Sequence, residues 1–269
     1  MEDSKVRQIF SRMGEYLHSV YARKAILMIV SFFSGLLCSR GLVFGRYAPF
    51  GVAAAAAVPK GGMWAAVFGA FFGYLLPSPV YVSIRYEAAL VAVAAIRWSL
   101  SELKAVNTHP LYTPAVTFLP LLLTGVTMVL ISGSVNYSAA LYVAESFLGA
   151  GVAYFLRRTT NLLQGRSGDG ASKSSGLYDS GDVAALAVSV GILALSFSSV
   201  SIAGVSMGRI FMVLMIIYCA RVGGISGGTV AGVTAGAIQG LSTAGLSSLS
   251  GAYGLGGLMA GVFSPMGKV

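Results

Sequence analysis

Charge is scarce in this chain and acid scarcer still: only 10% of the 269 residues are charged, with 9 Asp and Glu against 18 Lys and Arg. An ordinary soluble globule carries about a quarter of its residues as charges, so that class is excluded. Cysteine and histidine number 2 each. Cys38 and Cys219 both lie inside apolar runs, which argues against a disulfide framework or a close-spaced metal site. His18 and His109 fall outside those runs and read as solvated loop residues. A phosphate-binding glycine loop ending in Lys, paired metal-ligand spacing and a nucleophile elbow are all missing. Soluble-enzyme chemistry therefore has no motif here, and neither a catalytic residue nor a bound metal or cofactor is expected. The basic first 24 residues lead to no small-residue cleavage site and soluble mature domain, so no cleaved signal peptide is read.

What fills the sequence is hydrophobicity, at 56% of residues and a mean hydropathy of +0.79. The fold class this implies is all-α, a polytopic integral membrane helical bundle with the bilayer as its solvent. A net charge of +9 would suit nucleic acid if the basic residues were clustered. Instead they punctuate the apolar runs, as topology control requires, so nucleic acid is not an expected partner.

About ten apolar runs succeed one another: Ala25–Phe44, Tyr47–Val58, Met63–Leu76, Ala88–Leu100, Ala115–Ile131, Tyr137–Leu156, Val183–Val200, Ile210–Ala220, Gly227–Leu241 and Leu246–Phe263. They organise the chain into a basic amphipathic segment (1–24), six membrane segments (25–156), a cytoplasmic Ser/Gly-rich loop (157–182) and four membrane segments (183–269). Segment 1–24 places Val6, Phe10, Met13 and Leu17 at helical spacing, which fits either the membrane interface or a helix packed on protein. Tyr47–Val58 and Met63–Leu76 are short for a hydrocarbon core about 30 Å thick, and form either two spans or a re-entrant pair. With all ten crossing and a cytoplasmic amino terminus, every basic residue except Arg40, Arg46, Arg85 and Arg209 falls on the cytoplasmic side. That asymmetry supports cytoplasmic amino and carboxy termini.

Small residues form the main pattern. Gly224, Gly228, Gly232, Gly236 and Gly240 stand four apart, which on one helix makes a side-chain-free groove of the kind that lets helices pack closely in lipid. A shift of 163 residues matches Gly41, Gly45, Arg46, Ala57, Gly61, Gly69 and Gly73 to Gly204, Gly208, Arg209, Ala220, Gly224, Gly232 and Gly236. The shifted positions Gly61, Ala65, Gly69, Gly73 and Pro77 offer the groove a partner face. Runs one to four would then repeat as runs seven to ten, in parallel orientation because corresponding runs are an even number apart.

Ionisable groups inside apolar runs are the candidate functional residues, because charge in hydrocarbon is costly and normally paired. Glu145 lies in the middle of Tyr137–Leu156. Arg46 and Arg209, at matching positions, either reach toward it or snorkel to the outer interface. Arg85 and Glu87 read as facing headgroups, Gln239 and Thr234 as interhelical contacts, and Trp98 and Tyr47 as interfacial belt residues.

Gly45-Arg46 with Pro49-Phe50, Val143-Ala144-Glu145, Gly223-Gly224 leading into Gly228-Thr229-Val230-Ala231-Gly232-Val233, Gly254-Leu255-Gly256-Gly257-Leu258 and Gly267-Lys268 occur in this order. In these patterns most of the chain resembles the polytopic amino-terminal membrane region of the stage II sporulation protein E family of endospore-forming bacteria. That resemblance implies a membrane-anchoring, septal-localisation and self-association module, with cell-division and sporulation proteins as partners, at the asymmetric division septum. In the family it precedes a manganese-dependent serine phosphatase that releases a forespore sigma factor. The sequence reaches Val269 without an Asp-rich phosphatase site, so the resemblance assigns no catalytic residue here and implies a fragment or truncated form. A small-molecule or ion transporter is the rival expectation, resting on the repeat, the short runs and Glu145.

Overall fold

The computed structural model describes residues 20–76, 83–103, 109–133, 136–165, 180–199, 201–202, 205–242 and 247–264. Residues 1–19, with His18 and all of the amphipathic segment but 20–24, which begin the first helix, lie outside these, as do Pro77, Gly204 and positions 166–179 of the long loop. The described residues are almost entirely helical: α1 (Val20–Cys38), α2 (Phe50–Ala57), α3 (Met63–Leu75), α4 (Ser83–Ser99), α5 (Tyr112–Ser132), α6 (Asn136–Leu163), α7 (Ser180–Ser196), α8 (Met207–Ser242) and α9 (Ser247–Phe263). One two-stranded antiparallel hairpin, Ser201–Ile202 with Val205–Ser206, precedes α8. Every apolar run meets a helix, and among the described residues three helices are long and apolar enough to cross a membrane: Tyr21–Cys38, Tyr112–Ile131 and Ala139–Leu163.

Lipid-type surfaces arise from where the large side chains point. On α3, Trp64, Phe68, Phe72 and Leu75 are about half exposed along one stripe, and α1 exposes Met28, Ile29, Val30 and Phe33 beside it. Apolar faces of that extent are foreign to a water-exposed monomer.

The centre of the bundle is α2, whose eight residues are all buried. At 1.5 Å per residue it is roughly 12 Å long, well short of the hydrocarbon core. Its sequence, FGVAAAAA, suits that place because alanine lets neighbours approach from every side. Ala53, Ala54 and Ala57 pack into a core with Val152, Leu156 and Leu195, whereas Val52, Ala55 and Ala56 enter another with Tyr86, Leu90 and Val93. The element stops where Val58 turns extended at ψ 143°, a conformation that the next residue, Pro59, favours, and a 3-10 turn (Lys60–Gly62) leads into α3.

Several expectations need correction. Helix α1 ends at Cys38 rather than continuing to Phe44, because the chain turns back through a Val43–Tyr47 bridge. Tyr47 is buried at 6% exposure instead of sitting in an interfacial belt, its ring against Tyr142, while Trp98 at 67% suits that belt. Helix α6 runs on to Leu163, so Arg157–Leu163 is helix and not loop. The Gly224–Gly240 ladder is not one continuous face. At Gly224 (φ 62°, ψ −144°) α8 breaks into two helical pieces, a conformation essentially confined to glycine.

Nor do the two glycine ladders face each other. A Cβ on Gly69 would lie 2.0 Å from the Phe32 carbonyl oxygen, and one on Gly35 2.2 Å from that of Ala66, so α1 and α3 touch backbone to backbone. On α8, a Cβ added to Gly232 would lie 2.4 Å from the Tyr253 carbonyl oxygen, and Cβ atoms added to Gly228 and Gly257 would lie 2.3 and 2.2 Å from each other's carbonyl oxygens. Each ladder is thus satisfied within its own half by a reciprocal glycine, which leaves no face for the other.

Candidate functional site

The buried charged residues, Arg85, Glu145 and Arg97, gather at the two ends of α2. At its amino-terminal end Pro49 has no N–H to satisfy, and the residue before it is held by two tyrosines. The Ala48 N–H donates to the Tyr86 hydroxyl (2.9 Å), and the Tyr74 hydroxyl donates to the Ala48 carbonyl (2.7 Å). The two phenol rings stack at 5.2 Å with 14° between planes. Tyr86 then donates its own proton to Oε1 of Glu145 at 2.6 Å.

Glu145, wholly buried on α6, is closed from its other oxygen by Nη2 of Arg85 at 2.6 Å. The same Arg85 nitrogen lies 3.4 Å from the Leu121 carbonyl on α5. Among the described residues Nε and Nη1 of Arg85 have no hydrogen-bond acceptor. The guanidinium instead lies over the Tyr142 ring at 4.4 Å and the Tyr86 ring at 5.0 Å, where the negative π-faces offset its charge. Four helices, α3 to α6, are tied to the entry of α2 by this network.

At the opposite end, the last carbonyls of α2 meet cations. Arg97, 6% exposed, donates Nη1 to Ala55 at 2.5 Å and Nη2 to Val58 at 2.6 Å. Arg157 Nη1 lies 3.4 Å from the Ala57 carbonyl, and Lys60 Nζ donates to the Ser101 carbonyl. Positive charge belongs at a helix carboxy terminus, where orphan carbonyls carry the negative end of the dipole. A helix that ends inside the bundle, away from water, needs such donors.

Arg46 and Arg209 are not part of this network: both are exposed, and the cation that meets Glu145 is Arg85. Arg85 is 3% exposed instead of facing headgroups, because it stands near the start of α4 on the buried face, from which its side chain reaches Glu145. Glu87, two positions later, is half-buried. Gln239 is buried and Thr234 half-buried. Of the packing glycines, Gly69, Gly73, Gly228 and Gly232 make close interhelical approaches, Gly236 is buried and Gly240 partly so, and Gly224 is the break. His109 is exposed and its Nδ1 accepts the Leu111 N–H at 3.3 Å.

Sequence reasoning missed Arg85, Tyr74, Tyr86, Arg97 and Arg157. Arg97 had a signal, since it stands inside the run Ala88–Leu100 and is an intramembrane cation by the same logic that selects Glu145. Arg85 had one too, because a buried carboxylate requires a cation and Arg85 is on the same side as Arg46 and Arg209 in the loop count.

One cavity lies away from this network, between α8 and α9 along Ile216 and Tyr253, and another lies between α1 and α6 and reaches Val58 and Pro59 at the carboxy-terminal end of α2. No family model, curated protein or solved structure matches this chain.

Proposed function

We propose that the chain is a membrane-anchoring and localisation module, a polytopic bundle that self-associates and, in line with the resemblance to stage II sporulation protein E, holds a cytoplasmic serine phosphatase at the asymmetric division septum. The observation that carries the anchoring part is the closure of Glu145. Both of its oxygens are engaged, by Arg85 and Tyr86, and its surroundings are tyrosine rings and packed helices. A carboxylate so enclosed ties helices together and does not present itself to a passing solute. On this reading both termini are cytoplasmic, runs two and three are either two short spans or a re-entrant pair, Lys60, Arg97 and Arg157 lie toward the cytoplasmic side, and the module is not itself an enzyme.

A fluorescent fusion of the chain, expressed in an endospore-forming bacterium, tests the proposal. Enrichment at the asymmetric septum is the expected result, and uniform label over the cell membrane rules it out. Continuation of the coding sequence into an Asp-rich phosphatase domain supports it further, while a stop codon at that point weakens it.

One observation favours the transporter reading. Helix α2 ends inside the bundle with arginines on its final carbonyls, and interrupted helices of this kind line substrate sites in many transporters. Proteoliposomes containing the chain decide the matter: flux that Glu145→Gln abolishes supports transport, and no flux from the parent chain ends it.

A further inference from the structure

The cavity between α1 and α6, about 770 Å³, differs from the apolar cleft between α8 and α9 in having charge at one end only. Its lining includes Arg23 and Lys24, both exposed, with Gln164 also at that end. Down α1 the lining continues through Leu27 and Val30 to Ser34. No Asp or Glu is among the described residues that line it. Eleven residues separate Arg23 from Ser34, which at 1.5 Å each is roughly 16 Å, close to half of a hydrocarbon core about 30 Å thick. One basic mouth and one leaflet's depth of mainly apolar wall, in which Ser31, Ser34 and Thr160 are the hydroxyl-bearing residues, match the two parts of a single lipid.

We propose that this groove binds one anionic phospholipid, with its phosphate at Arg23 and Lys24 and an acyl chain along Leu27 and Val30 between α1 and α6. The inference rests on the membrane reading alone and is independent of any septal role. Charge complementarity selects an anionic headgroup over a zwitterionic one.

Native mass spectrometry of the full chain, released from nanodiscs of phosphatidylcholine mixed with phosphatidylglycerol, tests it. The parent chain should retain phosphatidylglycerol in preference to phosphatidylcholine. Each basic residue at an anionic surface is worth about fivefold in affinity, so Arg23→Gln with Lys24→Gln should lower retention roughly 25-fold. Arg46→Gln, an exposed arginine outside this groove, should retain the parent preference. Val30→Phe, which narrows the wall without touching charge, should reduce retention of both lipids. Equal retention by the double variant and Arg46→Gln overturns the proposal, whether the groove is then empty or filled by residues 1–19. So does a bound lipid without headgroup preference. Lys24→Glu alone, which leaves Arg23 in place, should reverse the preference toward phosphatidylcholine if the double variant does not fold.

Discussion

Phe50–Ala57 and Val213–Ala220 occupy the same register when the sequence is shifted by 163 residues, yet they live in opposite surroundings. The first is helix α2, buried at all eight positions. In the second, Ile216 and Ala220 are buried while Val213, Leu214, Ile217 and Tyr218 are exposed along α8. Side-chain size accounts for the difference. A run of five alanines can be enclosed by helices on every side, whereas leucine, isoleucine and tyrosine keep neighbours away and suit contact with lipid tails. Beyond each stretch the helix breaks: Gly61 lies in the 3-10 turn after α2, and Gly224 interrupts α8. One half of the molecule is therefore organised around a polar-capped central helix, the other around glycine contact between α8 and α9.

The largest expected effect breaks the polar half alone. Glu145→Leu leaves the Arg85 guanidinium buried without its carboxylate, a situation that costs about 3–5 kcal/mol. Thermal unfolding in detergent should register that loss, and Arg85→Leu combined with Glu145→Leu should recover most of it. Hydrogen exchange should rise in α2, α4 and α6 and stay unchanged in α8 and α9. An equal rise in both halves would mean that they do not stabilise themselves separately.

Glycine substitutions come next and strike both halves at matching positions. Gly69→Leu places a Cβ where the Phe32 carbonyl stands 2.0 Å away, and Gly232→Leu places one 2.4 Å from that of Tyr253. Backbone cannot retreat as a side chain does, so each should lose at least about 2 kcal/mol, within the upper range for overpacking. Gly256→Leu, with open space around its Cβ, is the control and should change little. Unchanged thermal stability and oligomer size for Gly232→Leu would remove α8–α9 contact as the basis of the second half.

The sequence carried the positions of the helices well, because a span in lipid must be a continuous apolar run. It carried the partners poorly. Glu145 stood out as a lone charge in hydrocarbon, but Arg85 lies near a run end, where headgroup contact is the ordinary reading, and only the packing of α4 against α2, α3 and α5 turns it inward toward Glu145. The glycine ladder identified a close-packing face but not what covers it, because spacing along one helix has no information about the neighbour. Gly224 shows the same limit at the backbone level: a glycine in register with four others reads as groove, and its positive φ makes it a break.

That break permits a sharper comparison of the two halves. Gly224→Ala forces a side chain into a backbone region nearly restricted to glycine and should cost about 1–3 kcal/mol, or straighten α8. Gly61→Ala, in the same register, has ordinary negative φ and meets only the Leu27 Cδ2 at 3.3 Å, so it should cost less than about 1 kcal/mol. Differential scanning of the two variants checks this. Equal costs would show that the turn after α2 is as constrained as the kink in α8.

The smallest effect belongs to the junction between the halves, where α6 meets α7. Arg158 Nε lies 2.7 Å from Asp182 Oδ1, with Arg158 one-third exposed, and the buried hydroxyls of Thr159 and Ser189 meet at 2.8 Å. An ion pair in contact with water contributes about 0–1 kcal/mol and less at high salt, so Arg158→Gln should shift unfolding only slightly. Thr159→Val strands a buried hydroxyl and should cost about 1–2 kcal/mol, independent of salt. A larger, salt-sensitive loss from Arg158→Gln would mean that charge holds the halves together. The expected order assigns that task to the buried contact and to the apolar core shared by α2, α6, α7 and α8, since Ala53, Leu156, Leu195 and Ile216 belong to one cluster across the junction.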